Sequence, residues 1–223
     1  MKTCVIIPTY NEARAIAELI RDIRRQGLEA VVVDDGSRDS TARIARENGA
    51  VVLQNPRNQG KGASLRKGFQ YALGEGFAAV ITMDGDGQHL PRDIASFLEL
   101  SRHTPAGIII GNRMQKTGGM PRLRILTNKF MSWLISLITK QRIPDSQCGF
   151  RLIRRELLER LNLVTNKYET ESEMLIRAAQ LGFGIESLTI NTVYGQEKSE
   201  INSFLDSLRF IRFILKEIWT MLF

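Results

Sequence analysis

Asp84-Gly85-Asp86 is the densest local cluster of potential chemistry in the chain. Two carboxylates one residue apart, at the end of an apolar run, can turn toward one ligand once strand geometry stops, and the intervening glycine permits a close backbone approach. Hard oxygens of this kind, completed by a diphosphate, suit Mg2+ or Mn2+. Gln88 and His89 follow directly and offer a further ligand or a supporting contact. Acids in Asp-Gly dipeptides are also ordinary turn formers. Asp34-Asp35-Gly36-Ser37 is a second acid cluster, suited to a ribose hydroxyl or a base N–H, or to a turn that leads into a helix. Asn58-Gln59-Gly60-Lys61-Gly62 lacks the GxxxxGK[ST] spacing of a phosphate loop, and no GxGxxG follows the first apolar run, which disfavours a dinucleotide fold. Neither histidine is accompanied by a Ser or Cys triad, and Cys4 reads as core.

The elements that must position these acids are strand-then-helix units. Apolar runs at Cys4–Ile7, Ala30–Val33, Val51–Leu53 and Ala79–Met83 alternate with helical patterns at Ala13–Arg25, Ser40–Asn48 and Lys61–Leu73. The runs are continuously apolar rather than alternating, as parallel strands covered on both faces require. In such sheets ligands lie beyond the carboxyl ends of the strands, which is where Asn11-Glu12, Asp34-Asp35, Asp84-Asp86 and Arg113 fall. A helix over Pro91–Leu100, a strand over Gly107–Ile110, helices over Leu123–Thr139, Arg155–Leu161 and Glu171–Leu181, and a late strand over Ile185–Val193 complete the pattern. With 223 residues, 43% hydrophobic and 25% charged, the chain has the composition of a globular α/β domain.

The net charge of +7 has one source. Between Arg113 and Arg155 ten Lys or Arg residues face one acid, Asp145, a local +9. Such a field favours an anionic partner. Nucleic acid is disfavoured, because aromatics make up only 7% and none interleave with the basic residues.

Taken in order, Pro8-Thr9-Tyr10-Asn11-Glu12, Asp34-Asp35-Gly36-Ser37, Gly60-Lys61-Gly62, Asp84-Gly85-Asp86-Gly87-Gln88-His89, Gly111-Asn112-Arg113 and Asp145-Ser146-Gln147-Cys148-Gly149-Phe150-Arg151 resemble a family 2 glycosyltransferase of the GT-A fold, especially the dolichyl- or polyprenyl-phosphate mannose synthase branch. The resemblance covers roughly residues 3–200. It implies a GT-A domain over 1–200 with a mostly parallel central sheet flanked by helices; beyond it, residues 201–223 read as an added amphipathic C-terminal helix. It implies a nucleoside-diphosphate sugar donor held by Pro8, Tyr10, Glu12, Asp34, Asp35, Lys61, Asp84 and the late Lys198, and a Mg2+ or Mn2+ ion on Asp84, Asp86 and Gln88. Arg113 and Arg151, with Arg124 a further candidate, would face the acceptor.

The main functional expectation is inverting transfer of a sugar to a polyprenyl phosphate. A phosphate is already largely ionised near neutrality and needs cations more than a base. The alternative is transfer to a glycan or small-molecule hydroxyl, which needs a general base, with Asp145 the candidate; Asp145 can equally serve to orient Arg151 or another cation. A non-enzymatic binding module is the reading of a different class. From Phe204 to Phe223, Asp206, Arg209, Arg212, Lys216 and Thr220 form a narrow polar stripe on an otherwise apolar segment, suited to a membrane interface or to packing on the domain. With no secretory apolar region near Met1, the expected location is the cytoplasm, peripherally on the cytoplasmic face of the membrane. Oligomeric state has no signature in the sequence.

Overall fold

A computed structural model describes residues 1–193, 210, 212–215 and 217. The apolar runs become strands β1 (Thr3–Thr9), β2 (Glu29–Asp34), β3 (Val51–Gln54), β4 (Ala79–Thr82), β5 (Ile108–Asn112), β6 (Arg151–Arg154) and β7 (Ile185–Thr189). Helices α1 (Ile16–Arg25), α2 (Thr41–Glu47), α3 (Lys61–Gly74), α4 (Ile94–His103), α5 (Arg122–Thr139), α6 (Arg155–Leu158) and α7 (Glu169–Gln180) lie between them. The strands form one sheet in the order β3-β2-β1-β4-β6-β5-β7. All pairings are parallel except those of β6, which runs antiparallel to both β4 and β5.

The continuous apolarity of β1 has its cause in this layout. Cys4 and Ile6 enter a core cluster with Leu65 and Phe69 of α3, Ile135 of α5 and Met174 of α7. Val5 and Ile7 enter the opposite cluster, with Ile16, Leu19, Ile20 and Ile23 of α1 and Phe97 of α4. Successive residues of a strand point to opposite faces, so a sheet covered twice leaves no polar side.

Strand β6 was not anticipated. It has four residues, and Arg151 and Arg154 at its ends hide the apolar pair Leu152-Ile153. Because it runs against its neighbours, its N-terminal end arrives at the carboxyl ends of β4 and β5, with Thr82 and Ile110 both in register with Arg151. The loop over 145–150 is thereby delivered to the functional edge of the sheet.

Lys198 and most of the expected C-terminal helix lie outside the described residues. Of that helix, Phe210, Phe213 and Ile214 are buried in the α3/α5/α7 core cluster, while Glu217 pairs with Arg177 of α7 at 2.7 and 2.9 Å. These residues pack on the domain. Among the described residues no helix is long and apolar enough to cross a membrane.

Candidate active site

Lys61, the first residue of α3, bridges two carboxylates. Its Nζ donates to Asp84 Oδ1 beyond β4 and lies 2.6 Å from Glu171 Oε1 in the first turn of α7. Burial works against the ammonium charge, but the Asp84 and Glu171 carboxylates outweigh it and hold Lys61 above the ordinary lysine value. Burial likewise opposes ionisation of Asp84, and Lys61 reverses this, holding the carboxyl well below its usual range. Glu171 is almost wholly buried, and its Oε2 has no hydrogen-bond partner. A carboxylate oxygen left in that condition is costly and calls for an account.

The glycines around Lys61 explain how α7 comes so close. A Cβ on Gly60 would stand 2.2 Å from the Asn166 carbonyl oxygen, and one on Gly62 would stand 2.1 Å from Thr170 Oγ1. The Gly62 amide donates to the Asn166 carbonyl at 2.8 Å, and Arg66 of α3 donates to Thr165 O and Asn166 Oδ1. Glu173, one turn along α7, accepts from the Val164 and Thr165 amides and the Thr165 hydroxyl. This segment is clamped from both sides, and the clamp sets Glu171 against Lys61. Glu171 escaped the sequence reading because Thr170-Glu171-Ser172-Glu173 resembles a solvated helix start; all four are buried. The signal was Gly60-Lys61-Gly62, a pair of close-approach glycines around one lysine.

Asp84 and Asp86 fall at the end of β4, as expected from the sequence. Asp86 Oδ1 accepts the Gln88 amide at 2.9 Å in a local turn. His89 packs beneath them against Phe150, with ring centroids 5.3 Å apart, and the Asp84 amide points to its Nδ1 at 3.4 Å. Burial, only partly offset by Asp84, pushes the His89 imidazole down to about 4 and keeps it neutral. Gly149 lies directly against Asp84: a Cβ there would stand 2.7 Å from both carboxylate oxygens. Two hard carboxylates fit a Mg2+ or Mn2+ ion that draws the rest of its shell from a bound diphosphate. Among the described residues no three His, Cys, Asp or Glu side chains converge into a complete metal cage.

The end of β1 carries Pro8, buried in the strand, then half-buried Tyr10 and Glu12. This turn is tied to the loop after β2: Asn11 N–H donates to Ser37 Oγ, Arg38 N–H to Asn11 Oδ1, and Glu12 N–H to Thr41 Oγ1. Asp34 and Asp35 are buried and heavily bonded. Asp35 accepts from Asn55 Nδ2 at 2.7 Å and from the Gln59 and Gly60 amides; Asp34 accepts from the Ser37 amide and Gln54 Nε2. Their immediate work is to fold the loops that border the site.

The acceptor-side cations stand differently from the expectation. Arg113 and Asp145 are both buried and form a bidentate pair, Nε to Oδ2 at 2.7 Å and Nη2 to Oδ1 at 2.9 Å, with the Arg113 amide adding a third bond. Arg151, 1% exposed, spends its guanidinium on the carbonyls of Cys148, Ser146 and Glu171. Arg154 binds the carbonyls of Ser101, Thr104 and Ala106 around the end of α4, and Arg155 binds those of Leu73 and Phe77 around the end of α3. Four of the ten cations in the basic segment therefore serve the scaffold. Arg124 is half-buried on α5. Cys148 and Cys4, whose thiols burial pushes up to about 12, offer no nucleophile.

The family described as "Glycosyl transferase family 2" matches residues 4–161. A polyprenol monophosphomannose synthase from Mycolicibacterium smegmatis is 30% identical over 203 residues, covering 85% of this chain and 76% of that one. Among solved structures, glucosyl-3-phosphoglycerate synthase from Mycobacterium tuberculosis bound to UDP superposes with a TM-score of 0.79 at 21% identity, over 97% of this chain and 79% of that one. The same enzyme has been solved with Mn2+, UDP and phosphoglyceric acid. Mannosyl-3-phosphoglycerate synthase from Rubrobacter xylanophilus gives 0.78 at 19% identity, over 100% and 74%. The fold is thus an α/β, GT-A-like one. The expected polyprenyl phosphate acceptor is corrected by these findings. The two enzymes named from solved structures are phosphoglycerate glycosyltransferases, and Arg151, one of the cations meant to clamp a lipid phosphate, spends its guanidinium on backbone carbonyls.

Proposed function

The chain belongs to glycosyl transferase family 2, and on that premise we propose that it transfers a sugar from a nucleoside-diphosphate sugar to the hydroxyl of a small acceptor. One observation carries this reading: Glu171 is fixed to the Asp84 side of the site through Lys61 while its Oε2 stays unpartnered. A hydroxyl acceptor must lose its proton as the new bond forms. In the proposed step the acceptor O–H donates to Glu171 Oε2, and the oxygen attacks the anomeric carbon. The bond from that carbon to the diphosphate breaks with inversion, and the electron pair leaves on the nucleoside diphosphate.

Asp145 is not suited to this task, because both its oxygens are engaged by Arg113. The base of the hydroxyl reading is therefore assigned to Glu171. Pro8, Tyr10 and Glu12 border the nucleoside side, with Asp34 and Asp35 supporting the loops around it. Lys61 offsets charge near the diphosphate. Asp84 and Asp86, with Gln88 beside them, would hold Mg2+ or Mn2+, which supplies compensation for charge on the departing diphosphate. The phosphoglycerate named for the structural relatives makes a small hydroxyl bearing anionic groups the first acceptor to try. Peripheral contact with a membrane belongs to this reading as a property of the exterior, separate from the acceptor.

The test is nucleoside diphosphate release from a panel of uridine and guanosine sugars with Mg2+ or Mn2+, offered phosphoglycerate and other hydroxy acceptors alongside polyprenyl phosphate. The expected product is a water-soluble O-glycoside, lost in Glu171→Gln with donor affinity retained. Label extracted as a lipid, with Glu171→Gln still active, would overturn the proposal.

A further inference from the structure

Helix α5 packs Ile135, with Met131, Leu134 and Ile138 partly buried, against the core, and carries a second apolar stripe that faces outward. Its buried positions are Asn128, Ser132, Ile135 and Thr139, three of them polar. Its exposed positions include Leu123, Leu126, Phe130, Trp133 and Leu137, each between 55% and 76% exposed. At 100° per residue these five fall within an arc of about 80°, centred about 170° from the buried set. Phe130 and Trp133 lie side by side, ring centroids 6.0 Å apart. Helices on water-soluble surfaces normally have one apolar face, turned inward, as α1 does with Ile16, Leu19, Ile20 and Ile23. A contiguous stripe of large apolar side chains facing outward marks an interaction surface.

Charge selects the partner. Helix α5 contains Arg122, Arg124 and Lys129 and no acid, and Lys140 caps its end. Arg122 and Lys129 are exposed and fall within about 40° of one edge of the stripe, where long basic side chains can snorkel. The single acid of the basic segment, Asp145, is buried against Arg113 and cancels nothing at the surface. Two copies meeting through this face would oppose cation to cation. An anionic bilayer satisfies both features at once: Trp, Phe and Leu enter the acyl boundary while Arg and Lys meet headgroup phosphates.

We infer that the outward face of α5 is a docking surface for an anionic lipid bilayer, with α5 lying in the plane of the interface and not spanning it. This rests on the peripheral membrane contact proposed above, names the face that makes it, and stands independently of the transfer reaction. It also places the contact on α5, whereas the sequence pointed first to the C-terminal helix.

Vesicle flotation tests it without any activity readout. Wild-type protein is expected to float with phosphatidylcholine vesicles containing 30% phosphatidylglycerol and to bind pure phosphatidylcholine far more weakly. Lys129→Gln is expected to lower anionic-vesicle affinity about fivefold, and raised salt to act in the same direction. The triple variant Leu126→Ser, Phe130→Ser, Trp133→Ser is expected to lose at least 100-fold in binding while its circular dichroism and nucleotide affinity stay unchanged. In a Trp219→Phe background Trp133 is the remaining tryptophan, and its emission is expected to shift blue on the vesicles. Failure of the wild type to float, or a triple variant that floats equally well, would overturn the inference. So would a solution dimer that the triple variant dissociates in the absence of vesicle binding.

Discussion

Two charged assemblies stand at the carboxyl ends of the strands, and they differ in what they leave over. Arg113 holds both oxygens of Asp145: two side-chain bonds and an amide bond engage the carboxylate, and both residues are buried. Lys61, Asp84 and Glu171 form an incompletely satisfied assembly instead, in which one cation serves two carboxylates and the buried Glu171 Oε2 remains without a donor. A carboxylate with both oxygens held by a buried guanidinium is scaffold, because a proton can join it only by weakening a bond that burial has made expensive to lose. An assembly with a spare acceptor has capacity for an incoming group. Unused hydrogen-bonding capacity, rather than charge, separates the chemistry from its support.

The sharpest way to break this comparison is Glu171→Gln. The substitution keeps the shape and a partner for Lys61 but removes the group that accepts a proton. Turnover is expected to fall about 10²–10⁴-fold, with the thermal midpoint almost unmoved, as read by steady-state kinetics beside a melting curve. Full turnover with a lowered midpoint would mean that Glu171 is scaffold too.

Asp145→Asn probes the closed assembly and should give the opposite signature. It leaves the Arg113 guanidinium buried without its counter-charge, which costs about 3–5 kcal/mol of stability. Urea denaturation measures that loss, while kcat of the fraction still folded is expected to change less than about tenfold. A catalytic collapse at intact stability would return Asp145 to the role of base.

A smaller effect is expected at Gly149→Ala, where the two assemblies adjoin. The new methyl would stand 2.7 Å from both Asp84 oxygens and must push that carboxylate aside. Apparent affinity for Mn2+, titrated through nucleoside diphosphate release, is expected to weaken about 10–100-fold, and excess cation is expected to restore the rate.

These differences indicate what a sequence can and cannot disclose. The strands β1 to β4 were legible because burial on both faces leaves an uninterrupted apolar run, and Asp84 to Asp86 because acids at the end of such a run are conspicuous. Strand β6 was hidden by its terminal arginines, and with it the reason Gly149 and Arg151 reach the site. The local excess of +9 was legible as a sum, but its destination was not. Arg113, Arg151, Arg154 and Arg155 turn inward to Asp145 or backbone carbonyls, whereas Arg122, Lys129 and Lys140 remain outside on α5. Nothing in composition distinguishes an arginine that feeds carbonyls from one that waits for a ligand. Glu171 was obscured for a related reason: helical periodicity reports which face is apolar, and here a polar first turn is buried against the glycines of α3.

The polar inward face of α5 supplies the finest test of the comparison. Ser132 Oγ accepts the Ser146 amide at 2.9 Å and lies 3.2 Å from the Ser146 hydroxyl, so it holds the residue next to Asp145. If Arg113 and Asp145 belong to a scaffold that fixes the loop over 145–150, Ser132→Ala should behave as a weaker version of Asp145→Asn. It strands one buried amide, a loss of about 1–2 kcal/mol, with kcat nearly unchanged. The two substitutions touch the same loop, so their costs should not add: a double-mutant cycle in urea is expected to return an interaction of about 0.5 kcal/mol or more. Strict additivity would mean that the loop is anchored elsewhere, and that the inward serine of α5 is ordinary packing with no part in holding Asp145.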